Sequence, residues 1–275
     1  MSSTLSPLAV PEPWDLVAPE YERELMPVFE TFSRDALART GVGRGARVVD
    51  VAAGPGTLSL LAARMGARVT AVDFSPRMIA ALRERTAAAG LEVEALVGDG
   101  TAMALPDRAF DAGFSMFGLM FFPDRPRGFR ELHRVLVPGG RAAVSSWMPL
   151  ERSPAMNVVY KSFAEVVSAG GSGGGAPRDG MMPLSDPETC QREMSGAGFV
   201  DVAVHEVTGR AEYASTAAMV DAMMRSSAPV VLTRKALGEK WAPVERAILE
   251  KVSAELGTGP QVGLFNAYLT VGTRR

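Results

Sequence analysis

The stretch Val48-Val49-Asp50-Val51-Ala52-Ala53-Gly54-Pro55-Gly56-Thr57 decides how this chain folds. Residues 47–52 are mostly apolar around a single acid, the pattern of a buried strand. Gly54-Pro55-Gly56 closes that strand, and residues 57–65 have the Leu- and Ala-rich texture of a helix. A strand that feeds a glycine turn, which in turn feeds a helix, lets backbone approach a ligand closely. The free N–H groups at the helix start favour a negative group. Any tight strand–helix corner can use glycine for shape alone, so the flanking segments matter.

Downstream, residues 68–72 predict a second strand, and Ser75 caps a helix running to about residue 89. Residues 92–97 and 110–114 predict two more strands. A helix over 126–136 is stopped by Pro138-Gly139-Gly140, and 141–146 forms a fifth strand. Strands alternating with helices pair in parallel through right-handed crossovers, so the architecture is a doubly wound α/β sandwich. Upstream, residues 13–40 predict a helix with Leu16, Val17, Leu25, Val28, Phe29 and Phe32 roughly on one face. The tail adds strands at 200–207 and 266–272, whose alternation suits the half-covered end of a sheet. The helical stretch between them, 211–256, lies near the carboxyl edge of the sheet, where it can roof a ligand site. The run at 170–175, Gly-Gly-Ser-Gly-Gly-Gly, reads as a flexible loop, either one that lets a cap move or a plain surface loop.

The chain has 275 residues, 47% hydrophobic and 22% charged, which excludes a disordered polymer. Its single cysteine, Cys190, excludes an intramolecular disulfide and a Cys-rich zinc site, and no metal is expected. With 29 Lys+Arg against 31 Asp+Glu, the net charge of −2 offers no field for nucleic acid or anionic lipid. No basic-then-apolar leader opens the chain, and the apolar run 112–123 is too short for a bilayer, which needs about 20 residues. The expectation is a cytoplasmic protein with no membrane partner.

Two further acids fall in register with the first motif. Asp73 ends the second strand, where a carboxylate accepts hydrogen bonds from both hydroxyls of a ribose. It can also cap the helix that follows, and the two roles can coexist. Asp99 ends the third strand, where it can accept from an exocyclic amine such as adenine's, or simply close an Asx turn. After the fourth strand, residues 114–124 form an apolar segment at the topological switch point. Only its first few residues are expected to face a ligand, the rest being core.

Together the motifs at 48–57, 69–74, 98–100, 109–124 and 131–140 resemble those of a class I S-adenosylmethionine-dependent methyltransferase. The texture is similar to the small-molecule branch that includes ubiquinone and menaquinone biosynthesis methyltransferases. The resemblance spans about residues 14–147 and the final strand. It implies a Rossmann-like, mostly parallel seven-stranded sheet with an antiparallel final strand and an inserted helical cap. Residues 1–40 would close over the cofactor and 41–147 would hold it. Residues 148–198 would form a flexible insertion, and 199–275 the last strands with a cap insertion at 208–260.

The resemblance also implies roles. Ala52, Ala53, Gly54 and Gly56 line the methionine part of S-adenosylmethionine through backbone, and Asp50 beneath them helps hold its amino group. Asp73 binds the ribose, Phe74 and Met78 flank the adenine, and Asp99 and Gly100 meet its edge. Ser115 borders the amino-acid end, and Tyr21 closes over the cofactor near the sulfonium. Three departures stand out: Ala52 where relatives often have Gly, a loop after Gly100 about two residues longer than usual, and Leu119-Met120-Phe121 where many relatives have Leu-His-His.

Methyl transfer is an in-line displacement, so positioning can supply about 7–11 kcal/mol and a base is needed only for acceptors that must lose a proton. His133 and His205 fall away from the implied methyl position, so no dedicated histidine base is expected and the catalytic residues stay unknown. Water or a tyrosine would take any proton. Met116, Trp147, Met182 and Met223, with the neighbouring Met148, Met181 and Met224, are candidates for contact with a small, mostly apolar acceptor. A non-catalytic cofactor-binding module remains an alternative. A nicotinamide-dependent dehydrogenase is disfavoured, because its third fingerprint glycine is replaced by Ser59.

Overall fold

The computed structural model describes residues 7–169 and 184–275. The 170–175 loop and Met181 and Met182 lie outside the described residues. After a 3-10 turn at Pro7–Ala9 come α1 (Glu12–Thr40), β1 (Arg47–Val51), α2 (Thr57–Arg64), β2 (Arg68–Asp73), α3 (Pro76–Ala88), β3 (Val93–Val97) and β4 (Phe110–Met116). Then follow α4 (Arg125–Val135), β5 (Leu136–Trp147), α5 (Pro154–Ala169), α6 (Pro187–Gly196), β6 (Phe199–Tyr213), α7 (Thr216–Ser226), α8 (Ala228–Leu237), α9 (Trp241–Leu256) and β7 (Gln261–Arg274).

The strands form one seven-stranded sheet in the order β3-β2-β1-β4-β5-β7-β6. The first five pair in parallel, and β7 runs antiparallel to both β5 and β6. This is the expected sheet, with its order reversing between β1 and β4. Alternating side chains send Val48, Val69 and Phe114 to one face under α1 and α2, with Ala71 and Ala95 on α2 and α3. Val49, Val51 and Val144 face the other way, under α4 and α6. Burial on both faces explains why these strands read as continuous apolar runs.

Two expectations are corrected. Helix α4 ends at Val135, within one residue of the expected end, but β5 starts at Leu136 rather than at residue 141, so Pro138-Gly139-Gly140, expected to stop the helix, lies inside the strand. There the register against β4 shifts, Phe110 pairing with Leu136 but Ala112 with Arg141, and Gly139 takes φ 80°. The second concerns the last strand. β7 is not at the sheet's end but between β5 and β6, and its residues 267–272 are buried, which is why its alternation is blurred.

Helix α1 spans 29 residues and carries two interior prolines, Pro19 and Pro27. Each lacks the N–H that would close a helical bond, leaving a carbonyl one turn back without its usual donor. For Pro19 that carbonyl is Asp15's, and the Arg77 guanidinium reaches it at 3.5 Å. The other half of α1 packs Val28, Phe29 and Phe32 into a core shared with α5, α7, α9 and the strand residues Phe265 and Ala267. The helices between β6 and β7 thus roof the carboxyl end of the sheet. No helix among the described residues is long and apolar enough to cross a membrane.

Gly209 lets β6 pass directly beneath α1: a Cβ there would sit 2.8 Å from both Val28 Cγ1 and Phe32 Cε2. Neither atom has free space to retreat into a packed core. Gly209→Ala is therefore expected to cost about 1–3 kcal/mol through overpacking, read as a lowered midpoint in urea unfolding.

Candidate active site

At the switch point between β1 and β4 lies a cavity of about 280 Å³, bounded by the carboxyl ends of the strands and roofed by the start of α1. This is where open α/β sheets hold ligands. Larger, shallower hollows exist elsewhere. One of about 510 Å³, lined by Arg47, Arg68 and Glu94, sits at the opposite, amino ends of the strands.

The floor is the glycine corner. Gly54 and Gly56 take φ 55° and 85°, the left-handed region open to glycine. A Cβ on Gly56 would come 2.1 Å from Leu82 Cδ1, so this glycine also lets α3 pack close. Ala52 takes φ 56°, a conformation that costs an alanine about 1–3 kcal/mol. Its methyl is answered across the floor by Gly118, where a Cβ would fall 2.3 Å away. Ala52 thus keeps a glycine-like geometry and adds a methyl to the cavity wall.

Two buried carboxyls brace the corner. Asp73 accepts from the backbone N–H of Gly54 at 2.8 Å and of Ser75 at 2.9 Å. It lines the cavity, and burial pushes its pKa up to about 6 despite those bonds. Asp50 lies below, where its Oδ2 accepts from the Ser59 hydroxyl at 2.7 Å and its Oδ1 has no hydrogen-bond partner. Burial pushes the Asp50 carboxyl up to about 7. Asp99 is exposed and folds on itself, accepting from the Thr101 N–H at 2.7 Å and hydroxyl at 2.8 Å.

The roof is α1 with the turn before it. Leu8, Ala9, Trp14 and Tyr21 all line the cavity. The Trp14 indole donates to the Leu8 carbonyl at 2.9 Å and its ring meets Phe121 at 5.1 Å. Asp15 Oδ1 accepts from the Ser75 hydroxyl at 2.5 Å and from the Arg77 N–H at 3.3 Å, docking α1 on the start of α3. Burial and the neighbouring Asp73 raise the Tyr21 hydroxyl well above the ordinary phenol range, so it stays a donor.

Of the residues singled out from sequence, Tyr21, Ala52, Gly54, Asp73, Phe74, Met78, Asp99, Gly100 and Met116 line this one cavity. Asp50, Ala53, Gly56 and Ser115 do not; they stand behind it. Ser115 is fully buried and its hydroxyl accepts from the Leu119 N–H at 3.0 Å. Trp147 stacks at 4.1 Å on Phe117, one ring behind the wall, and Met223 is buried in the cap core. Neither histidine lines the cavity: His133 packs edge-on against Phe199 at 5.0 Å, and His205 sits on β6. Burial lowers the pKa of both.

Sequence reasoning missed Leu8, Ala9 and Trp14, and it fixed no residue beyond Gly100, where Thr101 lines the cavity. The segment after β4 also departs from expectation, because Phe121, Phe122 and Pro123 line the cavity along with its first residues. A 3-10 turn at Leu119–Phe121 folds the chain back, burying Leu119 and Met120 and returning the next side chains to the site. Phe117 takes φ 59°, with its N–H donated to the Ser145 hydroxyl at 2.9 Å. No periodicity signals such a reversal.

The family described as "Methyltransferase domain" matches residues 48–140, from β1 into β5. The demethylmenaquinone methyltransferase of Thermus thermophilus is 38% identical over 163 residues, covering 56% of this chain and 74% of that protein. Among solved structures, the YcgJ protein of Bacillus subtilis superposes with a TM-score of 0.59 at 17% identity, covering 88% of this chain and 97% of its own. The [4+2]-cyclase SpnF superposes at 0.55 and 20% identity, covering 89% and 80%. Those two likenesses concern the fold alone, and a fold does not dictate a reaction.

Two outcomes follow from the buried corner. Asp50 holds its proton in the folded state up to about pH 7, against 3.8 for the ordinary carboxyl. Its contribution to stability is therefore full below about pH 4 and is lost as pH rises toward 7. The stability of the protein relative to Asp50→Asn is expected to fall over that window, by at most about 1.4 kcal/mol per pH unit, in denaturant titrations at stepped pH. Second, Gly118→Ala is expected to lower the thermal midpoint sharply, and adding Ala52→Gly to restore most of it by removing the facing methyl.

Proposed function

This chain belongs to the class I S-adenosylmethionine-dependent methyltransferases, and we propose that it methylates a small, mostly apolar metabolite, by positioning and exclusion of water more than by a dedicated base. The single observation that supports the reading best is the cavity itself. It joins a ribose-type acid, Asp73, a glycine corner and an aromatic roof at the switch point of the sheet. The Thermus thermophilus relative is named for a small-molecule acceptor, demethylmenaquinone.

The residues present suit the cofactor. Asp50 Oδ1 is a buried acceptor without a donor behind the cavity floor, as suits an ammonium reached through water rather than directly. Asp73 keeps lone pairs beyond those given to Gly54 and Ser75, available to two hydroxyls. Phe74 and Met78 offer apolar faces to a flat base, and Asp99 with Gly100 and Thr101 meets its edge. Bound there, the cofactor supplies an electrophilic methyl group carried on a sulfonium.

This chain's own part is arrangement. Tyr21, held protonated beside Asp73, presents its ring and hydroxyl from the roof, where an aromatic face favours a cation. Met116, at the end of β4, and Phe117 form the apolar wall on which an acceptor would rest. Trp147 supports that wall from behind, and the wall excludes water from the reacting atoms. Neither imidazole borders the cavity, so a proton lost by the acceptor passes to solvent, unless the acceptor attacks through a lone pair and has none to lose.

Incubation of the protein with S-adenosylmethionine and a panel of apolar metabolites is expected to yield products heavier by one CH2, a methyl replacing a hydrogen, read by mass spectrometry. Asp73→Asn should weaken cofactor binding by about tenfold or more through loss of a charged acceptor. Reaction confined to highly charged acceptors would overturn the substrate class.

A further inference from the structure

The floor and the roof of the cavity meet at one side chain outside its wall, Arg85 on α3. Its Nη1 donates to the Pro55 carbonyl oxygen at 2.7 Å, in the middle of the glycine corner. Its Nε lies 3.2 Å from Glu22 Oε1 on α1, and Nη1 also touches the Met26 sulfur one turn further on. Glu22 directly follows Tyr21, which lines the cavity. A planar guanidinium with five donors suits such a three-way junction.

The junction matters because the corner is soft. Pro55 stands between two glycines with positive φ, so the peptide linking Pro55 to Gly56 has few side-chain restraints of its own. Gly56 N–H donates to the Ala53 carbonyl at 3.0 Å on one side of that peptide. Arg85 grips its oxygen on the other, through a charge-assisted bond stronger than a neutral one. The same cation fixes the turn of α1 that carries Tyr21.

Resting on the cofactor reading above, we propose that Arg85 is a positioning residue for S-adenosylmethionine: it sets the glycine corner and the Tyr21 turn at their working separation, and cofactor affinity depends on it. A purely structural arginine would change stability and leave the affinity of the folded protein alone.

Calorimetric titration with S-adenosylmethionine and S-adenosylhomocysteine, at a temperature where each variant is folded, separates the two and needs no acceptor. Arg85→Met is expected to weaken both ligands by about tenfold. Arg85→Lys keeps one charged donor for the Pro55 oxygen and should return to within about threefold of the parent. Glu22→Gln should cost about two- to threefold by itself and nothing further in the Arg85→Met background. A folded Arg85→Met protein within about twofold of the parent, or effects of the two sites that multiply, would overturn the proposal. If Arg85→Met does not fold, parental affinity in Glu22→Gln overturns it instead. A parent protein that binds neither ligand overturns the cofactor reading, and this proposal with it.

Discussion

The Asp73 carboxyl is the contact on which the site depends. It ends β2, yet accepts from the backbone N–H of Gly54 on the neighbouring corner and of Ser75 at the start of α3. One side chain thereby sets where two strand ends and one helix start stand relative to each other. A glycine corner has no stiffness of its own, because glycine tolerates both signs of φ. Its shape is imposed by acceptors aimed at its amides. Asp50 does the same from below through Ser59, in the first turn of α2. Both acids are held where burial disfavours their charged forms. Such a cost is tolerated where a site needs acceptors already oriented before a ligand arrives.

Backbone strain gathers at the same place. Ala52 and Phe117, at the ends of the adjacent strands β1 and β4, both take positive φ. Side chains in that region persist only when their surroundings leave no alternative. Ala52 is locked against the bare backbone of Gly118. Phe117 is locked by the Ser145 hydroxyl and by its ring, which packs against both Phe29 at 4.6 Å and Trp147 at 4.1 Å. That stack belongs to the core beneath the cap. The wall of the cavity and the packing of the inserted helices are therefore one aromatic assembly.

Much of the sheet was legible because parallel strands buried on both faces leave continuous apolar runs, and the turns between them carry Gly, Pro and Ser at the places the backbone demands. Asp73 and Gly54 could be located for the same reason, since chemistry and topology coincide at strand ends. The return of Phe121 and Phe122 to the site could not, because a 3-10 turn at Leu119–Phe121 leaves no repeat in an unbroken apolar run. Trp14 was invisible for another reason. Its place in the roof is set by Asp15 on the start of α3, a contact between residues 60 apart in sequence. Arg85 carried no local pattern at all, since its partners are a backbone oxygen and an acid on a distant helix.

The prolines of α1 have a consequence for what holds the roof in place. Leu8, Ala9, Trp14 and Tyr21, which roof the cavity, all lie on the helix start or the turn before it, apart from the anchored remainder of α1. Pro19 has already deleted one rung of the ladder there, and the Asp15 carbonyl is left to a guanidinium at 3.5 Å. Severing α1 at that point breaks fewer bonds than severing it in an uninterrupted stretch. The seven residues from Glu12 to Ala18 are consequently held less by the helix ladder than by their own contacts, the buried Val17 and Ala18 and the Asp15 bonds to Ser75 and Arg77, while the portion from Val28 onward is anchored in the core. The first two turns of the longest helix thus owe their place to tertiary contacts with α3, and the rest of that helix to the core beneath it.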